Sequence, residues 1–98
     1  MAKLQDLMRE NLRLAMLRIA AEVPQGFVNE CVLLRGVEAL GHIISRDHLL
    51  TEIAWLEEQS LIETSSVQRL LLVKIKRRGA DVASGRATGP GVERPEIL

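Results

Sequence analysis

The sequence predicts a mainly α-helical fold with a small β-hairpin, about four helices and two strands in one domain. Three observations carry this. Residues 4–23 hold apolar side chains at helical spacing for about five turns. Ser45 stands as an N-cap before a further amphipathic stretch that runs to Ser60. That stretch passes at once into two short runs rich in Leu, Ile and Val, Ile62–Ser65 and Arg69–Ile75, parted by Ser66-Val67-Gln68. At 98 residues the chain makes one domain, residues 1–86, followed by a tail, residues 87–98.

The first helix carries two apolar stripes. Leu4, Met8, Leu12, Ala15, Met16, Ile19 and Val23 share one face; Leu7, Leu14, Leu17 and Ala21 share another. Asn11 and Arg18 divide the stripes on one side, and Asp6, Arg9 and Arg13 on the other. One stripe suffices to join a small core. The second needs either the last helix of the domain or a second copy of the chain. A homodimer through the first helix, seated on Leu7, Leu14 and Leu17, is the expectation.

Pro24-Gln25-Gly26 ends that helix, and Phe27-Val28 reads as a short extended segment. Asn29 caps a second helix that runs to about Leu40, where Gly41 suits the residue just past a helix end. In the third helix Leu49, Ile53 and Leu56 form the inward stripe, while His48, Thr51, Glu52, Trp55, Glu58 and Gln59 lie opposite. The return strand of the hairpin is apolar on both faces, so both should be covered. Lys76–Ser84 reads as a short last helix, weakened by Gly79. From Gly85 onward, Gly89-Pro90-Gly91 and Pro95 predict a tail that adds no core and has little fixed structure.

Composition narrows the function classes. The net charge is zero, but residues 19–66 carry −6 and residues 67–86 carry +5. One cysteine, Cys31, excludes an internal disulfide and a multi-cysteine zinc site, and is expected to be a small buried residue. Cys31, His42 and His48 match no metal-ligand spacing. No leader is legible near Met1, and no apolar run approaches the ~20 residues of a membrane span, so a cytoplasmic protein is expected. There is no Gly-rich phosphate loop and no nucleophile–base set, hence no enzyme, and no cofactor is expected.

The order of elements resembles the winged-helix superfamily, in particular regulators of the ArsR and MarR kind. The resemblance rests on Ser45-Arg46-Asp47 at the start of the third helix and on Trp55-Leu56-Glu57-Glu58-Gln59-Ser60-Leu61-Ile62 at its junction with the hairpin. It rests further on Ile75-Lys76-Arg77-Arg78-Gly79-Ala80-Asp81-Val82-Ala83-Ser84-Gly85 after the hairpin. Ser60 stands where Gly is usual and Lys76 where a capping Thr is usual. Together these motifs cover roughly residues 5–86. The tail Gly89-Pro90-Gly91-Val92-Glu93-Arg94-Pro95 is similar to that of a small winged-helix family of Mu-like phages and prophages. No helix carries paired cysteines, so the resemblance does not extend to metal sensing.

The resemblance implies a winged helix-turn-helix with a two-stranded wing and the third helix, 46–60, as recognition helix. Base contacts would fall to Arg46, His48 and Thr51, with Gln59 or Glu52 as further candidates, and phosphate contacts to Arg69, Lys74, Lys76, Arg77 and Arg78. Against this, the third helix carries Arg46 but also Asp47, Glu52, Glu57 and Glu58, a net charge of −3, and DNA affinity depends on neutralising phosphate. The +5 of residues 67–86 would compensate, so double-stranded DNA is one expected partner, in a regulator-like role. The alternative is a phage protein, met in an interaction or assembly role through Trp55 and the acidic helix face. Trp55 packed beside the hairpin strands is the competing reading of that residue.

Overall fold

The computed structural model describes residues 3–96. Its elements are α1 (Leu4–Ala21), β1 (Val28–Asn29), α2 (Glu30–Ala39), α3 (Arg46–Glu58), β2 (Ile62–Val67), β3 (Leu70–Ile75) and α4 (Arg77–Ser84). The fold is thus mainly α with a small sheet. Met1, Ala2, Ile97 and Leu98, which the expected domain and tail include, lie outside the described residues.

Local chemistry sets the helix ends. Asn29 accepts from the Val32 N–H at 2.9 Å and Ser45 from the His48 N–H at 3.0 Å, each satisfying a donor of the first turn. α2 closes with His42 N–H on the Val37 carbonyl and Gly41 N–H on the Glu38 carbonyl. α3 closes the same way, with Leu61 N–H on Leu56 and Ser60 N–H on Glu57. Such an ending requires a left-handed residue. Ser60 takes that conformation at φ 62°, which accounts for the preference for glycine at this point of the junction.

The sheet has three antiparallel strands, not two, in the order β1-β3-β2. The extended segment expected at Phe27-Val28 lies at Val28-Asn29 instead and pairs with β3, Val28 opposite Val73. Its partner is 45 positions away in sequence, beyond the reach of local pattern. β2 also runs two residues further than Ser65, so the turn is Gln68-Arg69.

α1 is the central element. It packs on α2, β3 and α4, and this buries Leu14 and Leu17 completely along with Leu12 and Met16. The expected dimer seam is corrected accordingly: two of its three residues lie inside one chain, because α4 and α2 together cover the second stripe. Leu7 remains exposed, as do Leu4 and Met8. Leu33 and Val37 of α2 complete the core with Leu49, Ile53 and Leu56 of α3, Val73 and Ile75 of β3, and Val82 of α4. No helix among the described residues is long and apolar enough to cross a membrane. Cys31 is exposed rather than buried, on the outer side of the first turn of α2.

The segment after α4 also departs from expectation. Val92 is 7% exposed and belongs to the core, and Pro95 is buried. Its docking depends on polar partners on α1, which composition does not reveal.

Candidate functional site

The candidate DNA contacts fall into two groups at opposite ends of the hairpin. The register pairs Val67 with Leu70 at the turn and Ile62 with Ile75 at the base. Six residues per strand separate the two ends by roughly 17–20 Å. Arg69 lies in the turn. Arg46, in the first turn of α3, lies toward the same end, because the Glu30 carboxylate accepts both from its guanidinium and from the Leu71 N–H at 2.8 Å. Lys76 lies at the base, its N–H on the Leu61 carbonyl at 3.0 Å, and Arg77 and Arg78 begin α4 beside it. All three are exposed and none forms an ion pair among the described residues. Lys74, one residue before the base, stands opposite Glu63 with its ammonium 5.7 Å from the Phe27 ring.

Glu30 links the turn end of the sheet to α3. It is the first residue of α2, where the helix dipole favours a carboxylate, yet only 3% exposed. The Arg46 hydrogen bond holds its pKa below the ordinary value of 4.5; burial acts in the opposite direction, and the Leu71 N–H again lowers it. The same contact raises the pKa of Arg46. Since the folded-state pKa is depressed, the stabilisation is present above about pH 4.5 and is lost as pH falls through the folded value. We expect the difference in urea midpoint between the native chain and Glu30→Gln to hold from pH 7 to pH 5 and to shrink below 4.5. A pH-independent difference would contradict the charged Glu30–Arg46 contact. Arg46 is still 59% exposed at its side chain, so its remaining donors face solvent.

Part of the acidity of α3 is met within the fold. Glu52 was expected on the open face but is 3% exposed. Arg13 of α1 donates from Nε to its Oε1 at 2.7 Å, and Arg9 and His48 stand 3.9 and 3.5 Å away. Burial follows from the partner: Arg13 is itself largely enclosed and supplies the opposite charge. Arg9 and Arg13, one turn apart between the two apolar stripes, were the legible half of this pair; the carboxylate that Arg13 meets was not. Glu57 accepts from the N–H and hydroxyl of Thr64, at 3.1 and 2.7 Å, tying α3 to β2. The open stripe of α3 is therefore Asp47, Thr51, Ala54 and Glu58, with His48 at its edge. Thr51 donates its hydroxyl to the Asp47 carbonyl at 3.0 Å.

Trp55 is half-buried against the core and is not a free anchor. The Arg13 guanidinium lies 3.7 Å from its ring centroid. Gly91 backs onto the same indole. Sequence reasoning missed this cluster of Arg13, Glu52, Trp55 and Gly91 because its members come from α1, α3 and the C-terminal segment. His42, read as a surface or connector residue, makes a 2.7 Å hydrogen bond with Asn11.

The chain is 37% identical over 92 residues to an uncharacterised protein of Escherichia phage Mu, gp26, covering 94% of this chain and 95% of that protein. It is 36% identical over 66 residues to an uncharacterised protein of Haemophilus influenzae, covering 67% of this chain and 61% of the relative. No protein-family model matches the chain, and no solved structure does.

Proposed function

We propose, for a chain that belongs to the family of the phage Mu protein gp26, a winged-helix protein that binds double-stranded DNA in a regulator-like role. In this reading α3 is the recognition helix and the β2–β3 hairpin is the wing. The order α1-β1-α2-α3-β2-β3-α4, with β1 as third strand, supports the fold assignment. The observation that carries the function is the placement of Arg46 and Arg69 toward the turn end of the hairpin: Glu30 ties Arg46 to the Leu71 backbone, and Arg69 lies in the turn two residues before Leu71. The pairing of Glu52 with Arg13 supports it further, since it compensates one of the four acidic side chains of α3, while Asp47, Glu57 and Glu58 keep their charge. The basic cluster Lys76–Arg78 is the less favoured phosphate contact here, because it lies at the other end of the hairpin.

Titration of the protein into random-sequence duplex DNA across a salt series tests this reading. Binding should weaken as salt rises, and Arg69→Ala should flatten the log–log slope by about 0.9. No binding at low salt, or binding indifferent to salt, would overturn it.

A second reading is a protein-interaction or assembly role, possible without DNA. The open stripe of α3 favours it, since Asp47, Thr51, Ala54 and Glu58 place no cation at its centre. The two readings separate in one variant. Replacing Asp47 by Asn and Glu58 by Gln should tighten DNA binding under the first and leave it absent under the second.

A further inference from the structure

A cavity of about 380 Å³ opens between the first half of α1 and the approach to α3. Ligand pockets run upward from roughly 300 Å³, so its volume suits a small molecule. Met8, Leu12 and Ile44 make its apolar side; Gln5, Arg9 and the imidazoles of His42 and His48 make its polar side. The polar side is held in place from behind. Glu93, whose N–H bonds to the Glu10 carbonyl at 3.1 Å, accepts from Asn11 Nδ2 at 3.0 Å on its carboxylate. An ionised carboxylate only accepts, so Asn11 turns its Oδ1 to His42, and the imidazole donates to it from Nε2 at 2.7 Å. This relay fixes one wall of the cavity.

The cation of the cavity is not used up by the fold. The carboxylates nearest Arg9 among the described residues are those of Asp6 and Glu52, at 3.7 and 3.9 Å, beyond hydrogen-bond distance. Asp6 is half in water, and Glu52 already meets Arg13 at 2.7 Å. The His48 ring likewise reaches Glu52 only at 3.5 Å. A guanidinium fork with donors to spare, beside the buried Leu12 and half-buried Ile44, receives a carboxylate that is attached to an apolar body. Met8 is 54% exposed at the mouth, and the same body would take it out of water.

We infer that this cavity binds a small amphiphilic organic anion, an apolar ring or short chain carrying one carboxylate. Arg9 holds the carboxylate, and Met8, Leu12 and Ile44 enclose the body. An organic cation would meet Arg9 unfavourably, and a bare inorganic anion would leave the apolar side unfilled. Ile44 precedes the Ser45 cap and His48 stands in the first turn of α3, so the ligand joins α1 to the start of that helix. The inference is independent of DNA binding.

Titration of the full-length chain with 1-naphthoate, followed by amide chemical shifts in NMR, tests it. Saturable binding is expected, with the largest shifts in residues 5–12 and 42–48. The neutral analogue 1-naphthalenemethanol keeps the body and lacks the charge, so it should bind roughly tenfold more weakly. Arg9→Gln changes a side chain that is 48% exposed, and it should weaken the acid to the level of the alcohol. Met8→Trp places an indole in the mouth and should remove the binding of both. Failure of 1-naphthoate to saturate, equal affinity for acid and alcohol in the native chain, or largest shifts outside these two segments would overturn the inference. So would an acid preference that survives Arg9→Gln, or binding that survives Met8→Trp.

Discussion

Replacing Arg13 by Met is expected to destabilise the fold by about 3–5 kcal/mol at neutral pH, because it strands the buried Glu52 carboxylate. Arg9 and His48 stand at 3.9 and 3.5 Å, too far to replace a direct hydrogen bond, but the Arg9 cation softens the stranded charge and places the effect toward the lower end. Loss of the guanidinium above Trp55 adds a further contribution of about 0.5–2 kcal/mol. The energy removed belongs to the unpaired charge more than to the bond itself. Arg13→Met combined with Glu52→Leu should therefore recover most of the stability, since apolar replacement of a buried pair is often neutral or favourable. Urea unfolding of the two single variants and the double variant gives the coupling energy. Additive losses would mean that the two side chains do not act as a pair.

Gly79→Ala is the second large effect, and its sign opposes helix propensity. In an open helix the change to alanine would stabilise by about 1 kcal/mol. In α4 the added Cβ would stand 2.0 Å from the Leu61 carbonyl oxygen and 3.1 Å from the Ile75 side chain. That oxygen is backbone, and it already accepts from the Lys76 N–H at 3.0 Å, so it cannot yield without parting α4 from the α3–β2 junction. Overpacking of this kind costs about 1–3 kcal/mol and occasionally more, enough to outweigh the propensity gain. A contact of 2.0 Å lies at the upper end of that cost, so a net loss of about 2 kcal/mol and a fall in Tm of roughly 8–16 °C follow in a domain of this size. A rise in Tm would mean that α4 does not approach the junction so closely.

Gly79 illustrates what the sequence disclosed and what it withheld. Read locally it weakens a helix; in the fold it permits the contact that brings α4 onto Leu61. Features with local causes were legible: the caps at Asn29 and Ser45, the ending at Gly41, the hairpin, and the inward stripe of Leu49, Ile53 and Leu56. Features whose partners are distant were not. Val28 needs Val73 to become a strand, Glu52 needs Arg13 to go inside, and Val92 needs the α1 surface to become core. The burial of Leu14 and Leu17 belongs to the same class, since a second stripe on a helix shows that a cover is required without saying which element supplies it. For the candidate site, residue types were legible but their grouping was not. Arg46 and Lys76 flank one helix–hairpin unit in sequence, and only the register separates them to opposite ends.

The turn between β2 and β3 has a consequence for how the family can vary. Gln68 and Arg69 both hold positive φ, at 50° and 70°, in a two-residue loop where Asn-Gly would sit without strain. Selection for a durable hairpin alone would drive these positions toward Asn and Gly. An arginine there is a backbone compromise, and such compromises gather where a side chain is needed for something other than folding. Under the proposed DNA reading, relatives in which this turn has relaxed to Asn-Gly would lack the Arg69 contact, and the two turn residues would mark which members of the family can make it.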